Sequence, residues 1–176
     1  MPDDPQSDYS VMQAGYEWAL RHAQHYFWMQ TPYFVPPASL LAAIEDAARR
    51  GVDVRLMLPM RADNFFMRPA NRIHFQELLA AGVKIYLRGD PFIHSKTFVS
   101  DDFLSSIGSS NLDIRSFDKN YEVNVILYDE GTARECCAIF EKDLELCTPV
   151  DEAWLSRLKW YHRLSEKVIG LFAPLL

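Results

Sequence analysis

Two phrases in this chain share one grammar. In Arg50-Gly51-Val52-Asp53-Val54 and in Ala81-Gly82-Val83-Lys84-Ile85 a glycine stops a helix and a strand begins at once. Glycine suits that position because the residue past a helix end commonly turns left-handed, at little steric cost without a Cβ. Before the first phrase, Leu40, Leu41, Ile44 and Ala48 recur at helical spacing from a start at Ser39 or an adjacent residue, with Glu45 and Arg49 as an i,i+4 surface pair. Before the second, residues 68–81 read as a helix with Pro69 tolerated in its first turn. The strands that follow span 52–58, stopped by Pro59, and 83–87. An earlier helix over 10–24 leads into an apolar strand at 26–29, and Thr31-Pro32-Tyr33-Phe34-Val35-Pro36-Pro37 then forms an ordered loop at that strand's C-terminal end. Strand, helix, strand, helix, strand implies parallel pairing with right-handed crossovers.

From Phe92 the rhythm changes. Strands at 93–99, 104–107 and 121–128 follow without long helices, and Asp101-Asp102 makes a hairpin turn between the first two. The expected fold is therefore α/β, a three-layer α-β-α sandwich with a mixed, largely parallel central sheet. A helix over 132–146 carries Cys136, Cys137, Ile139, Phe140 and Leu144; Thr148-Pro149 punctuates the chain, and 151–172 reads as one last helix with Gly170 as a weak point. With 176 residues, one core is the natural count: a disordered leader at 1–8, a main domain at 9–150, and a C-terminal amphipathic helix at 151–176 packed on the domain or lying at a membrane interface.

Composition excludes several classes. A chain with 49% hydrophobic and 24% charged residues is not disordered. A net charge of −6 is the wrong sign for a broad face that neutralises nucleic-acid phosphates. The three cysteines form no C-x-x-C pair, which fits a reducing compartment. No apolar run reaches the roughly 18 residues of a membrane span and the leader lacks a signal pattern, so the chain itself reads as soluble. Tyr26-Phe27-Trp28 and Tyr33-Phe34 are core or contact surface.

The chemistry concentrates in His94-Ser95-Lys96, Asp101 and Gly108-Ser109-Ser110-Asn111. In a strand, residues i and i+2 share a face, so His94 and Lys96 are expected side by side, an imidazole and an ammonium suited to a phosphate. His94 supplies a nucleophile or proton donor, Lys96 fixed charge, and Ser109 and Asn111 a hydroxyl and an amide. Gly108 permits close backbone approach. Glu122 is expected to hydrogen-bond the far ring nitrogen of His94 and fix its tautomer. A lone His-x-Lys in a strand is usually a solvated face; the ordered pattern H-x-K-x4-D-x6-G-S-x-N, met here without a gap, is much harder to obtain by chance.

That pattern resembles the phospholipase D superfamily. The phrases Thr31-Pro32-Tyr33-Phe34-Val35-Pro36, Arg50-Gly51-Val52-Asp53-Val54, Ala81-Gly82-Val83-Lys84-Ile85-Tyr86 and residues 108–117 further resemble the C-terminal half of bacterial cardiolipin synthases, from about residue 9 onward. The resemblance implies a catalytic His94, a phosphate site of Lys96, Ser109 and Asn111, support of His94 by Glu122, and an Asp101 that is more a structural partner of the motif than an acid or base. It implies phosphoryl transfer without metal or other cofactor. The expected activity moves a phosphatidyl group from one phosphatidylglycerol to the glycerol headgroup of another through a covalent phosphohistidine. Family enzymes join two such motifs and this chain has one, so a partner half is implied, either an N-terminal portion or a second copy, as in the short family nucleases. The alternatives are a phosphodiesterase, lipid hydrolase or nuclease, working as a homodimer, and a non-catalytic domain that binds anionic lipid. Nucleic acid is not favoured. The full-length protein is expected at the cytoplasmic face of a bacterial inner membrane.

Several residues carry smaller expectations. Tyr33 and Phe34 contact lipid or simply pack. Arg115 holds a phosphate or, preferably, ties down Asp113. His22 and His25, three apart, lack a third ligand at recognisable spacing and read as solvated. Residues 151–176 carry a net charge of +1 against −6 for the chain, which suits either an interfacial segment or an ordinary packed helix. A docked partner half further implies an exposed apolar patch beside the motif.

Overall fold

A computed structural model describes residues 2–4, 6, 10–63 and 66–170, apart from the side chains of Asp3, Arg163, Leu164 and Lys167. In chain order the elements are β1 (Pro2–Asp3), α1 (Val11–His22), β2 (Tyr26–Gln30), β3 (Phe34–Val35), α2 (Ala38–Arg49), β4 (Asp53–Pro59), α3 (Met67–Ala70), α4 (Phe75–Ala81) and β5 (Lys84–Arg88). There follow β6 (Thr97–Ser100), β7 (Leu104–Gly108), β8 (Leu112–Asp113), α5 (Ile114–Asp118), β9 (Glu122–Tyr128), α6 (Glu130–Leu144), β10 (Cys147–Val150), α7 (Glu152–Ser156) and α8 (Trp160–Gly170).

The main sheet runs β1-β9-β7-β6-β2-β4-β5-β10. Its centre, β2-β4-β5, is parallel, and the strands on either side pair antiparallel. Gly51 and Gly82 take φ of +93° and +99°, the left-handed turns that end α2 and feed β4, and end α4 and feed β5. Asp101 and Asp102 are also left-handed, at φ of 53° and 55°, and turn the β6–β7 hairpin. Side chains alternate across the sheet. Phe27, Leu56, Ile85 and Phe98 face the layer of α1, α2 and α4, whereas Trp28, Met57 and Val99 face α6. Three layers result.

Four expectations need correcting. The strand at 93–99 is confined to Thr97–Ser100, because residues 92–96 have no ladder partner. The helix over 68–81 breaks into turns at 71–74; buried Asn71, its backbone still right-handed helical and its N–H donating to the Met67 carbonyl at 2.8 Å, uses its side chain to hold the loop after β2. It accepts the Phe34 N–H at 2.8 Å and donates to the Pro32 carbonyl at 2.9 Å. Thr148-Pro149 is no mere breaker, since Cys147–Val150 form an edge strand beside β5, a place where proline's missing N–H costs no ladder bond. The last helix is two, α7 and α8, parted at 157–159, and its expected end at 171–172 lies outside the described residues. Within the leader expected to be disordered, Pro2–Asp3 pair with β9, while Met1, Pro5, Ser7 and Asp8 lie outside the described residues.

Candidate functional site

The motif segments meet at one end of the sheet. Gln30, the last residue of β2, pairs with Thr97, the first of β6; Ile107, near the end of β7, pairs with the same Thr97, and Gly108 with Asn124 of β9. The loops at 31–37, 60–63, 92–96 and 109–111 therefore gather at the C-terminal ends of the parallel strands, the end where α/β sheets build their sites. The loop after β2 is held there by β3, which pairs with β8.

The two halves of the motif are joined by backbone. The Gly108 N–H donates to the Lys96 carbonyl at 3.2 Å. A Cβ at Gly108 would fall inside contact distance of Asn124 Oδ1 and the Val123 carbonyl, so the β7–β9 approach requires glycine there. Lys96 is 9% exposed and its Nζ donates to the His94 carbonyl at 2.9 Å. Burial lowers the Lys96 pKa, opposed by the charges of Glu122, Asp113 and Asp63. His94 is exposed, with its ring 5.8 Å from that of Phe92. The expected shared strand face is thus corrected: outside any ladder, one side chain turns inward and the other outward.

Glu122 also departs from expectation. Its carboxylate accepts the Ser109 hydroxyl, and Asn120 Nδ2 donates to it at 3.2 Å, so it braces the serine loop rather than the His94 ring. Ser109 Oγ in turn accepts the Val123 N–H at 3.0 Å. Asn111 Nδ2 donates to Ser116 Oγ at 3.3 Å, while its Oδ1 is buried and has no hydrogen-bond partner among the described residues. Such an atom is costly unless something completes its bonding.

Asp101 sits elsewhere. Its carboxylate accepts the N–H groups of Gln24, His25 and Tyr26 at 2.8, 2.9 and 3.0 Å, at the far end of β6 from Lys96. A four-residue strand spans roughly 13 Å, so Asp101 is kept from the site and ties β2 to the β6–β7 turn.

Phe34 is fully buried in the main core, which excludes the lipid contact raised for it. Tyr33 is half-buried, and its hydroxyl donates to Asp63 at 2.6 and 2.8 Å; burial and that carboxylate push its pKa up to about 12. Arg115 is exposed and does not tie down Asp113, whose carboxylate caps α5 by accepting the Ser116 N–H at 2.6 Å. His22 is taken up by Trp18, at 2.7 Å to its carbonyl and stacked on its ring. Among the described residues no cluster of three or more His, Cys, Asp or Glu is placed to hold a metal.

Sequence reasoning passed over Asn124 and Asp63. Asn124 is 1% exposed, accepts the Ser110 N–H at 3.2 Å and donates to Ser106 Oγ at 3.2 Å, which sets the Ser109–Asn111 loop on the sheet. An amide amid Val123, Val125 and Ile126 was the available signal, because a polar residue on a strand's inward face needs a partner. Asp63 carried no signal of its own.

Known proteins resemble this chain in sequence and in fold. The family described as "Cardiolipin synthase, PLD-like domain" matches residues 17–144. A cardiolipin synthase of Clostridium perfringens (strain SM101 / Type A) is 41% identical over 92% of this chain and 34% of its own length. The major cardiolipin synthase ClsA of Bacillus subtilis (strain 168) is 38% identical over 98% of the chain and 36% of its own. The chain thus spans about a third of these relatives. Among solved structures, the phospholipase D family member Nuc from Salmonella typhimurium superposes with a TM-score of 0.72 at 18% identity, covering 86% of this chain and 97% of that one. The phosphatidylserine synthase of Haemophilus influenzae Rd KW20 gives 0.67 at 17%, over 90% and 41%. With the ordered motif, the three-layer sheet and a family match over most of its length, the chain belongs to the cardiolipin-synthase group of the phospholipase D superfamily.

Proposed function

We propose that this chain is the C-terminal catalytic portion of a phosphatidyltransferase that makes cardiolipin from phosphatidylglycerol at the cytoplasmic face of a bacterial inner membrane. The observation that carries the reading is the Gly108–Lys96 backbone bond, which brings an exposed imidazole, a buried ammonium and the Ser109–Asn111 loop to one end of the sheet. Lys96, Ser109 and Asn111 receive the phosphate oxygens. The orphaned Asn111 Oδ1 is consistent with a site completed by ligand or partner; as an acceptor it would meet a hydroxyl or N–H rather than a phosphate oxygen.

Transfer needs two imidazoles. One attacks phosphorus as the first headgroup alcohol leaves; the other protonates that alcohol and then takes the proton of the incoming one, whose oxygen displaces the first imidazole from phosphorus. His94 provides one, here assigned as the acid and base, and a second motif provides the other. Because the relatives are about three times as long as this chain, the second motif is assigned to an N-terminal portion of the same protein. Its docking face is the sheet surface around Ile107, Val123 and Val125, which are 45, 57 and 54% exposed next to Ser109. Among the described residues no helix is long and apolar enough to cross a membrane.

The test is turnover of phosphatidylglycerol by the full-length protein. Cardiolipin and glycerol are the expected products, and His94→Ala should slow their release by about 10²–10⁴-fold or more. Phosphatidic acid as the main product would assign a lipid hydrolase, nicked plasmid a nuclease, and an unchanged rate in H94A would remove His94 from the chemistry.

A further inference from the structure

A cavity of about 380 Å³ lies between α3 and α8, outside the motif, lined by Arg61, Arg68, Arg72, His162, Ser165 and Ile169. Three arginines and a histidine line it in a chain whose net charge is −6. Such crowding is unfavourable unless an anion offsets it. The ion pairs of this corner only partly do so. Arg72, with its side chain 6% exposed, meets Glu166 at 2.9 Å; Arg61 reaches Asp90 at 3.8 Å with both side chains about four-fifths exposed, a contact of little strength; among the described residues Arg68 makes none. His162 lines the cavity with its Nδ1 shut off from solvent and lacking a hydrogen-bond partner among the described residues. Burial first, then the charges of Arg72, Arg68 and Lys159, hold that imidazole below the ordinary histidine range.

The cavity also points toward the motif. It shares Arg61 and Ala62 with a second hollow of about 240 Å³ that extends to Phe92, whose ring neighbours His94. Pro69 and Ile169 add apolar lining among the basic residues. Arginines together with hydrocarbon suit a phosphate attached to an amphipathic molecule, and 380 Å³ is within the usual size of a ligand pocket.

We infer that the α3–α8 cavity is a second phosphate-binding site, separate from the one at Lys96, in which Arg68, Arg72 and His162 hold a phosphate carried by a phospholipid headgroup or free in solution. The lipid source rests on the phosphatidyltransferase reading; the phosphate site does not. It also gives His162 of the last helix a role, since α8 docks on α3 and His162 lines the cavity.

The test uses the full-length protein with Arg68→Gln and His162→Gln combined, positions outside the main core, and Arg68→Lys as the charge-keeping control. Two probes are titrated: inorganic phosphate, and vesicles of phosphatidylcholine with and without phosphatidylglycerol. A preference for phosphatidylglycerol vesicles that weakens about tenfold in the double variant and returns in R68K assigns a lipid headgroup. Saturable phosphate protection against thermal unfolding, present in the wild type and lost in the double variant, assigns free phosphate. Equal responses of wild type and double variant to both probes overturn the site. H94A, run alongside, should bind vesicles as the wild type does while losing turnover; turnover retained in H94A would sink the transfer chemistry and leave the pocket's own result standing.

Discussion

The two faces of the central sheet are filled unequally. On one, α1, α2 and α4 cover side chains from β5 across to β7, and Phe27, Leu56, Ile85 and Phe98 are all nearly inaccessible. On the other, α6 lies over Trp28, Met57 and Val99, and beyond it Ile107 and its register partner Val125, with Val123 on the same face, stay about half exposed. Stability and the proposed function thus draw on different parts of one sheet. The covered face supplies the core, while the bare margin of the second face adjoins Ser109 and is the surface assigned here to a partner half.

The contrast can be broken or sharpened by substitution. The largest effect is expected on the covered face: Phe98→Ala should cost about 3–5 kcal/mol in urea unfolding, by transfer loss and cavity formation. Next is Gly108→Ala, where the added methyl meets Asn124 and the Val123 carbonyl; a loss of about 1–3 kcal/mol is expected, with turnover falling because the Ser109 loop moves. On the bare margin, Val123→Asp with Val125→Asp should change the stability of this portion by no more than about 0.5 kcal/mol, yet abolish turnover by unseating the partner half. A stability loss comparable to F98A would mean that this margin already belongs to the core. The smallest effect concerns the α6 side of β4. Burial would raise the Asp53 carboxyl, but hydrogen bonds from Arg55 and Lys84 outweigh it and hold the group below the usual range. Its folded pKa being depressed, the stabilisation is present above the unfolded value near 4 and is lost as pH falls through the folded one. Asp53→Asn should flatten that acid limb, measured by melting temperature between about pH 5 and pH 2.

Much of the fold was legible because its signals are local. Gly51 and Gly82 mark helix ends by backbone freedom, Glu45 and Arg49 pair at 2.9 Å as their spacing implied, and Asp101-Asp102 turn a hairpin. Misread elements are those whose local pattern is overruled by a distant partner. Pro149 joins a strand because β5 offers an edge, and Asn71, where the expected helix gives way to turns, commits its side chain to Pro32 and Phe34. For the site, the motif's order was readable but its contacts were not. Glu122 was expected on the His94 ring and Asp101 as a structural partner of the motif; the partners they have, Ser109 and the N–H groups of residues 24–26, depend on register between strands far apart in the chain.

By itself the sequence determined the alternation of helices and strands, the family motif and the fact that only one copy of it is present, since each depends on residue identity and spacing. The tertiary structure decided the rest. It separated His94 from Lys96 by exposure, gave Glu122 to Ser109, buried Phe34, sent Asp101 to the far end of β6 and folded α8 back onto α3. The physical reason is that periodicity constrains which face a side chain takes within its own element, whereas the neighbour it meets there is set by strand register and packing over the whole core.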